Sequence, residues 1–197
     1  MDETYKLNGG FKPTLKRNAD LDGPDFYPTP AWVTLALIKH ERFIGNILEP
    51  ACGDGAMTEV LKATGCPVIS SDLYDRGYGD TGHDFLRSDC VYDNIVTNPP
   101  FHSAEGFVRK GTGNSRRKCA LLLRLAFLEG ARRHRRTFAL TPPSRVWVFS
   151  KRITFYPHGA VHRGSGTTAY AWFVWDKDAP SRTKVRWPEP GCKARNP

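Results

Sequence analysis

The tetrapeptide Asn98-Pro99-Pro100-Phe101 stops a strand and fixes what lies at its end. The preceding run, Asn94-Ile95-Val96-Thr97, reads as a buried strand with a polar edge at Tyr92-Asp93. Two consecutive prolines remove two backbone donors and stiffen φ at both positions. The residue before each proline is pushed to extended backbone. The chain must leave its sheet here. Its carbonyls and the Asn98 amide are held in fixed directions, with an aromatic face beside them. That arrangement is suited to gripping a planar group that carries an NH₂.

The rest of the chain alternates as α/β sequences do. Tyr27-Pro28-Thr29-Pro30 is a stiff turn, in which Thr29 is expected to cap a helix that has Pro30 in its first turn and continues from Ala31 to Ile38. Asn46-Ile47-Leu48-Glu49 is expected to be a strand, residues 51–55 a glycine turn and residues 57–64 a short helix. Residues 67–72 form the next expected strand, 74–82 a Gly-rich irregular stretch, and 84–86 a short element. Gly106, Gly111 and Gly113 limit any helix in the basic segment 102–117 to a short one. Residues 118–125 read as another buried strand and 127–136 as a helix. Residues 145–149 and 168–175 alternate as a late antiparallel pair, so Trp147, Trp172 and Trp175 are assigned to packing. Strands joined by helices imply a mainly parallel sheet, whose ligands lie at the carboxyl ends of its strands. The strand ends at 49–55, 72 and 98–101 would then share one rim.

A length of 197 residues suits one domain, divided here into an arm (1–25), a catalytic domain (26–178) and a basic, Pro-rich tail (179–197). No apolar run approaches membrane-spanning length, and the first 25 residues do not read as a signal peptide, so a cytoplasmic protein without a membrane partner is expected. The net charge of +9 and pI of about 9.5 favour a polyanionic partner. The five cysteines show no metal-ligand spacing, the six histidines do not pair into a zinc pattern, and no metal is expected. Cys66, Cys90 and Cys119 read as small buried hydrophobes.

Glu49-Pro50-Ala51-Cys52-Gly53-Asp54-Gly55 lies between a strand and a helix, where Gly53 and Gly55 permit a tight turn and close approach of a ligand to backbone. An ordinary βα turn is the alternative. Asp72 ends the next strand and is placed to accept from two ribose hydroxyls. The loop has neither a full G-x-G-x-x-G nor a phosphate-binding lysine, which disfavours a diphosphate. Asp84 can accept from an exocyclic amine and Phe85 can pack on a ring; a cap and a core side chain are the simpler reading of that pair. At the clamp, the Asn98 side-chain oxygen and the Pro99 carbonyl can both accept from one NH₂. This draws the nitrogen lone pair out of conjugation and makes it a nucleophile toward an electrophilic methyl. Phe101 can stack on the base.

Taken in order, Tyr27-Pro28-Thr29-Pro30, the Glu49 to Gly55 loop, Asp72, Asp84-Phe85 and Asn98-Pro99-Pro100-Phe101 resemble the class I S-adenosylmethionine-dependent amino-methyltransferases. The small phage- and prophage-type DNA adenine-N6 enzymes are the most similar group. The resemblance covers residues 26–101 most specifically. It implies a Rossmann-like, seven-stranded, mainly parallel sheet with a late antiparallel pair and helices on both faces. It implies S-adenosylmethionine as cofactor. Tyr27, Pro28 and Thr29 would line its methionine end, with the Thr29 hydroxyl reaching its carboxylate. Glu49, Pro50, Ala51, Gly53 and Gly55 would cradle the same moiety, with Glu49 near the ammonium. Asp72 and Leu73 would hold the ribose region, and Asp84 and Phe85 the cofactor's adenine. Asn98, Pro99, Pro100 and Phe101 would form the catalytic clamp on the target base, with direct in-line methyl transfer and no covalent enzyme intermediate. A base inside a duplex would first be flipped out.

The chain departs from restriction-type relatives in having little sequence after the motif for a separate target-recognition domain. Two basic stretches are candidates for gripping nucleic acid: Arg109, Lys110, Arg116 and Arg117 with Lys118, and Arg132, Arg133, Arg135 and Arg136 around His134. Lys151-Arg152, Arg163 and a loop over 159–168 would extend that surface. DNA is the expected partner. RNA adenine methylation, protein glutamine methylation and a non-catalytic nucleic-acid-binding module are the alternatives. Oligomeric state is not legible in the sequence.

Overall fold

The computed structural model describes residues 26–155, 166–180 and 182–189. The expected N-terminal arm, Arg163 and most of the loop over 159–168 lie outside them. A seven-stranded sheet runs through the molecule in the order β2-β1-β3-β4-β6-β5-β7. Its strands are β1 (Ile47–Glu49), β2 (Val68–Ser70), β3 (Tyr92–Thr97), β4 (Ser115–Arg124), β5 (Arg145–Val148), β6 (Tyr170–Asp176) and β7 (Lys184–Arg186). β1 pairs parallel with β2 and β3, and β3 pairs parallel with β4. β6 is antiparallel to both of its neighbours, β4 and β5, and is the reversed strand of the sheet. The mainly parallel sheet and the late antiparallel pair stand as expected.

Burial on both faces is written into the central strands. In β4, Ala120 and Leu122 enter one core, while Cys119, Leu121 and Leu123 enter the other. β6 divides likewise, with Trp172 and Val174 on one side and Ala171, Phe173 and Trp175 on the other. This is the period of two of a strand sandwiched between helices. The first core is closed by α1 (Ala31–His40) and α2 (Ala56–Leu61), the second by α3 (Ala104–Asn114). Trp147, Trp172 and Trp175 are buried, and each indole N–H donates to a partner, Glu41, the Val33 carbonyl and the Thr141 carbonyl respectively. These tryptophans therefore pack without orphaning a polar group.

Four local expectations need correction. Segment 102–117 holds an eleven-residue helix, α3, not a short one, despite three glycines. A Cβ on Gly111 would lie 2.7 Å from the Cys119 sulfur on β4, so that glycine lets the helix lie close on the sheet. β4 begins at Ser115, so Arg116 and Arg117 lie within the strand expected to start at 118. Lys184–Arg186 pairs with β5, so the sheet extends past the boundary expected at 178. Cys90 is exposed and Cys66 half-buried, while Cys119 is buried as expected.

Candidate active site

The carboxyl ends of β1, β2 and β3 meet on one rim, where a single cleft is lined by Tyr27, Pro28, Thr29, residues 49–53, Asp72, Leu73, Asp84, Phe85 and residues 98–101. The cofactor and clamp residues named from the sequence are thus brought together, except Gly55, which does not line the cleft. Gly55 serves the turn: it has φ of 84° and caps α2, and a Cβ there would run into the Tyr78 ring.

The glycine loop is tied to the neighbouring strand. The Gly53 N–H donates to Asp72 Oδ2 at 2.9 Å, and the Tyr74 N–H donates to Asp72 Oδ1 at 2.9 Å. Asp72 therefore fixes the loop as well as facing the cleft. Gly53 has φ of 57°, and a Cβ there would strike the ring of Phe26. The Arg76 guanidinium lies 4.2 Å from the centre of that same ring. Phe26 and Arg76 both line the cleft and escaped the sequence reading, because neither belongs to a recognisable spacing.

Glu49 lies at the end of β1, buried to 1% exposure. The Thr58 hydroxyl donates to its Oε2. Burial pushes its carboxyl well above the ordinary value; the Thr58 hydrogen bond opposes this, and the nearby charges of Asp72 and Asp54 add to it. A buried acid flanked by two more acids suits a cationic ligand. The same surroundings, burial first and then the charges of Glu49 and Asp72, push the Cys52 thiol up to about 12, so Cys52 is an inert lining group.

Asp84 Oδ1 accepts from the Leu86 N–H at 3.0 Å and so caps a turn, while Phe85 is buried against Phe107 with ring centres 5.1 Å apart. Both still border the cleft.

The clamp sits where β3 ends. The Asn98 Nδ2 donates to the Thr29 hydroxyl oxygen at 3.0 Å. Among the described residues the Asn98 Oδ1 is buried and has no partner. Thr29 does not cap α1 as expected; Pro30 takes that position with no side-chain cap, and the Thr29 hydroxyl serves the clamp instead. The Pro100 carbonyl accepts from the Ser103 N–H at 3.0 Å, closing the turn into α3. Phe101 has the Tyr170 ring 5.6 Å away and the Arg124 guanidinium 4.4 Å from its own centre. Arg124 ends β4 and is exposed, a rim cation that the sequence reading passed over as part of a buried strand.

The basic candidates separate. Arg132, Arg135 and Arg136 are exposed on the helical turns that follow β4 (Ala131–Arg133 and His134–Phe138), and Arg109 is exposed on α3. Arg133 is instead structural: it donates to the carbonyls of Phe127 and Glu129, pairs with Glu105 and covers the Phe127 ring. Lys110 pairs with Asp89. Arg116 and Arg117 lie at the start of β4, on the rim opposite the clamp, and pair with Asp93 and Asp178. Arg152 donates to the Thr167 carbonyl, and Lys151 lies over the Trp32 ring. Among the described residues no group of three His, Cys, Asp or Glu side chains could hold a metal, and no helix is long and apolar enough to cross a membrane.

No protein-family model and no curated relative matches the sequence. Solved structures do match. A Vibrio vulnificus protein named as the modification subunit of a type I restriction enzyme aligns over 90% of this chain at 16% identity, with a TM-score of 0.57. This chain spans only 50% of that protein's length. A Pyrococcus horikoshii protein bearing the name of an RNA methyltransferase aligns over 77% of this chain and 86% of its own, at 16% identity and a TM-score of 0.58. A dimethyladenosine transferase from Plasmodium falciparum aligns over 77% of this chain and 62% of its own, at 16% identity and a TM-score of 0.53. With the strand order and the rim cleft already in place, these likenesses identify the architecture: the chain has the Rossmann-like fold of the class I methyltransferases.

Proposed function

We propose that the protein transfers a methyl group from S-adenosylmethionine to the exocyclic N6 amine of adenine in DNA. The observation that carries this reading is the Asn98 Oδ1, a buried acceptor without a partner, at a proline-stiffened strand end that shares its cleft with Glu49, the glycine loop and Asp72. The residues present suit the cofactor. Glu49 offers a buried carboxyl to an ammonium, Asp72 a carboxylate to ribose hydroxyls, and the 49–53 loop its backbone to the amino-acid end.

When bound, S-adenosylmethionine supplies an electrophilic methyl on a sulfonium. Asn98 and Pro99 accept from the two protons of the target amine and turn its lone pair toward that methyl. Phe101 supports the base from one face. The methylated nitrogen is an ammonium and loses its proton readily, so no side chain need act as a strong base. Orientation and charge placement supply most of the rate. Support for a nucleic-acid substrate comes from the net charge of +9 and from exposed Arg109, Arg124, Arg132, Arg135 and Arg136.

The test is transfer of a labelled methyl from the cofactor to DNA. The expected result is incorporation that Asn98→Ala reduces by about a hundred- to a thousandfold, as losing a group used mainly in the transition state does. Tight DNA binding with cofactor bound and no label incorporated would favour a non-catalytic module. The likeness to the protein bearing an RNA methyltransferase's name makes RNA the second substrate to assay. Preferential labelling of RNA would move the proposal there.

A further inference from the structure

We propose that Thr29 is a positioning residue that sets which way round the Asn98 amide faces, and that it thereby makes the clamp select an amine over a carbonyl. The inference rests on the methyl-transfer reading and concerns the substrate that this site admits.

An amide side chain has nearly the same shape in both orientations, so its neighbours must decide which end carries oxygen. Here the Asn98 Nδ2 donates to the Thr29 hydroxyl oxygen at 3.0 Å, and Oδ1 lies on the other prong, buried and without a partner. Thr29 itself is buried to 6% exposure and lines the cleft together with the glycine loop. A hydroxyl has one proton and two lone pairs. In the observed arrangement a lone pair serves Asn98, which leaves the proton free to serve an acceptor in the cleft. A carboxylate is such an acceptor and has nothing to donate. With a carboxylate on its proton, Thr29 can offer Asn98 only lone pairs, and only Nδ2 can meet them. The reversed amide would set oxygen against oxygen. A carboxylate-bearing ligand in the cofactor cleft and an acceptor presented to the target base are therefore two ends of one hydrogen-bond chain through Thr29.

The consequence is a specificity rule. With Oδ1 fixed, the clamp pairs with a 6-amino purine and repels a 6-oxo purine. Without the Thr29 hydroxyl, Asn98 can turn over and present its NH₂, so that a 6-oxo base gains one donor and is opposed only by the Pro99 carbonyl. The test uses oligonucleotides taken from DNA that the wild type methylates, with the target adenine or hypoxanthine set opposite an abasic site so that pairing strength does not differ. Binding is measured with S-adenosylhomocysteine present, which carries the same carboxylate and transfers nothing. Wild type is expected to prefer adenine by about tenfold or more, the scale of leaving buried polar groups unpaired. Thr29→Val should narrow that preference to about threefold or less, mainly by gaining affinity for hypoxanthine. Thr29→Ser, which keeps the hydroxyl, should restore it; should the valine protein fail to fold, Thr29→Ala takes its place. A Thr29→Val protein that loses both complexes equally, or keeps the full preference, would overturn the positioning role. A wild type that methylates no adenine would instead overturn the reading on which the inference rests.

Discussion

Glu49 gives the rim cleft a pH dependence opposite in sign to that of most paired acids. Its carboxyl is raised above the usual 4.5, chiefly by burial, so the folded protein binds a proton there that the unfolded chain has released. The stability that this group allows is complete below the unfolded value and is lost as pH rises from there through the folded one. Glu49→Gln should remove that loss, and the ligand-free variant should show a flatter denaturation-against-pH profile than wild type above pH 4.5. Cofactor binding should behave conversely. An ammonium favours the ionised carboxyl, so affinity measured by calorimetry should rise with pH over the same interval and binding should release a proton; in Glu49→Gln both effects should vanish and affinity should fall. Equal pH slopes in the two proteins would remove Glu49 from the ammonium site. Glu49, Asp72 and the clamp could be read from the sequence because each stands at the end of a short apolar run. The partnership of Thr29 with Asn98 could not, since 69 residues separate them and only the fold brings the turn before α1 to the end of β3.

At the rim opposite the cleft, elements are held by a buried charged hub. Glu41, just after α1, is 3% exposed. It accepts from Lys118 on β4 at 2.9 Å, from Arg145 on β5 and from the Trp147 indole at 2.9 Å. Asp176 on β6 pairs with the same lysine and arginine, at 3.4 and 2.6 Å. Burial pushes the Glu41 carboxyl up, but hydrogen bonds from Arg145, Trp147 and Lys118 outweigh it and hold it below its usual value. Its contribution is therefore present above about pH 4.5 and lost as pH falls through the lowered value. Glu41→Gln should destabilise the fold by about 2 kcal/mol at neutral pH, measured by urea denaturation, because Lys118 and Arg145 lose one of their two shared carboxylates and keep only Asp176. A change below about 1 kcal/mol would show that the hub is dispensable. Sequence patterning located most of these strands, since β4 and β6 carry strong apolar runs. It missed the length of α3, because glycine's low helix propensity counts against a helix unless the close approach of Gly111 to Cys119 is known. It missed β7 for a different reason: Lys184-Val185-Arg186 is an exposed edge strand with almost no apolar signal.

Over the molecule as a whole, the sheet separates the cleft from the charged hub. The carboxyl rim gathers the cleft, Asn98 and Arg124, while the opposite rim carries the Glu41 hub and the paired Arg116 and Arg117. A nucleic-acid footprint should follow that division. Replacing Arg132, Arg135 and Arg136 together by Ala should weaken DNA binding and reduce the slope of log affinity against log salt by about 2 to 3, if each grips one phosphate. Replacing Arg116 and Arg117 should change affinity by less than about twofold; the reverse pattern would move the footprint to the other rim. The sequence read well where the cleft is lined by local motifs at strand ends. It could not sort the arginines, because a basic run looks the same whether its charges face solvent or an acid from a distant strand. The central claim is that the clamp grips the amine of adenine. Its most direct measurement is mass spectrometry of nucleosides digested from DNA incubated with the protein and S-adenosylmethionine. N6-methyladenine is expected with wild type, and at least about a hundredfold less with Asn98→Ala. N4-methylcytosine, or no modified nucleoside from a protein that demonstrably binds the cofactor, would contradict it.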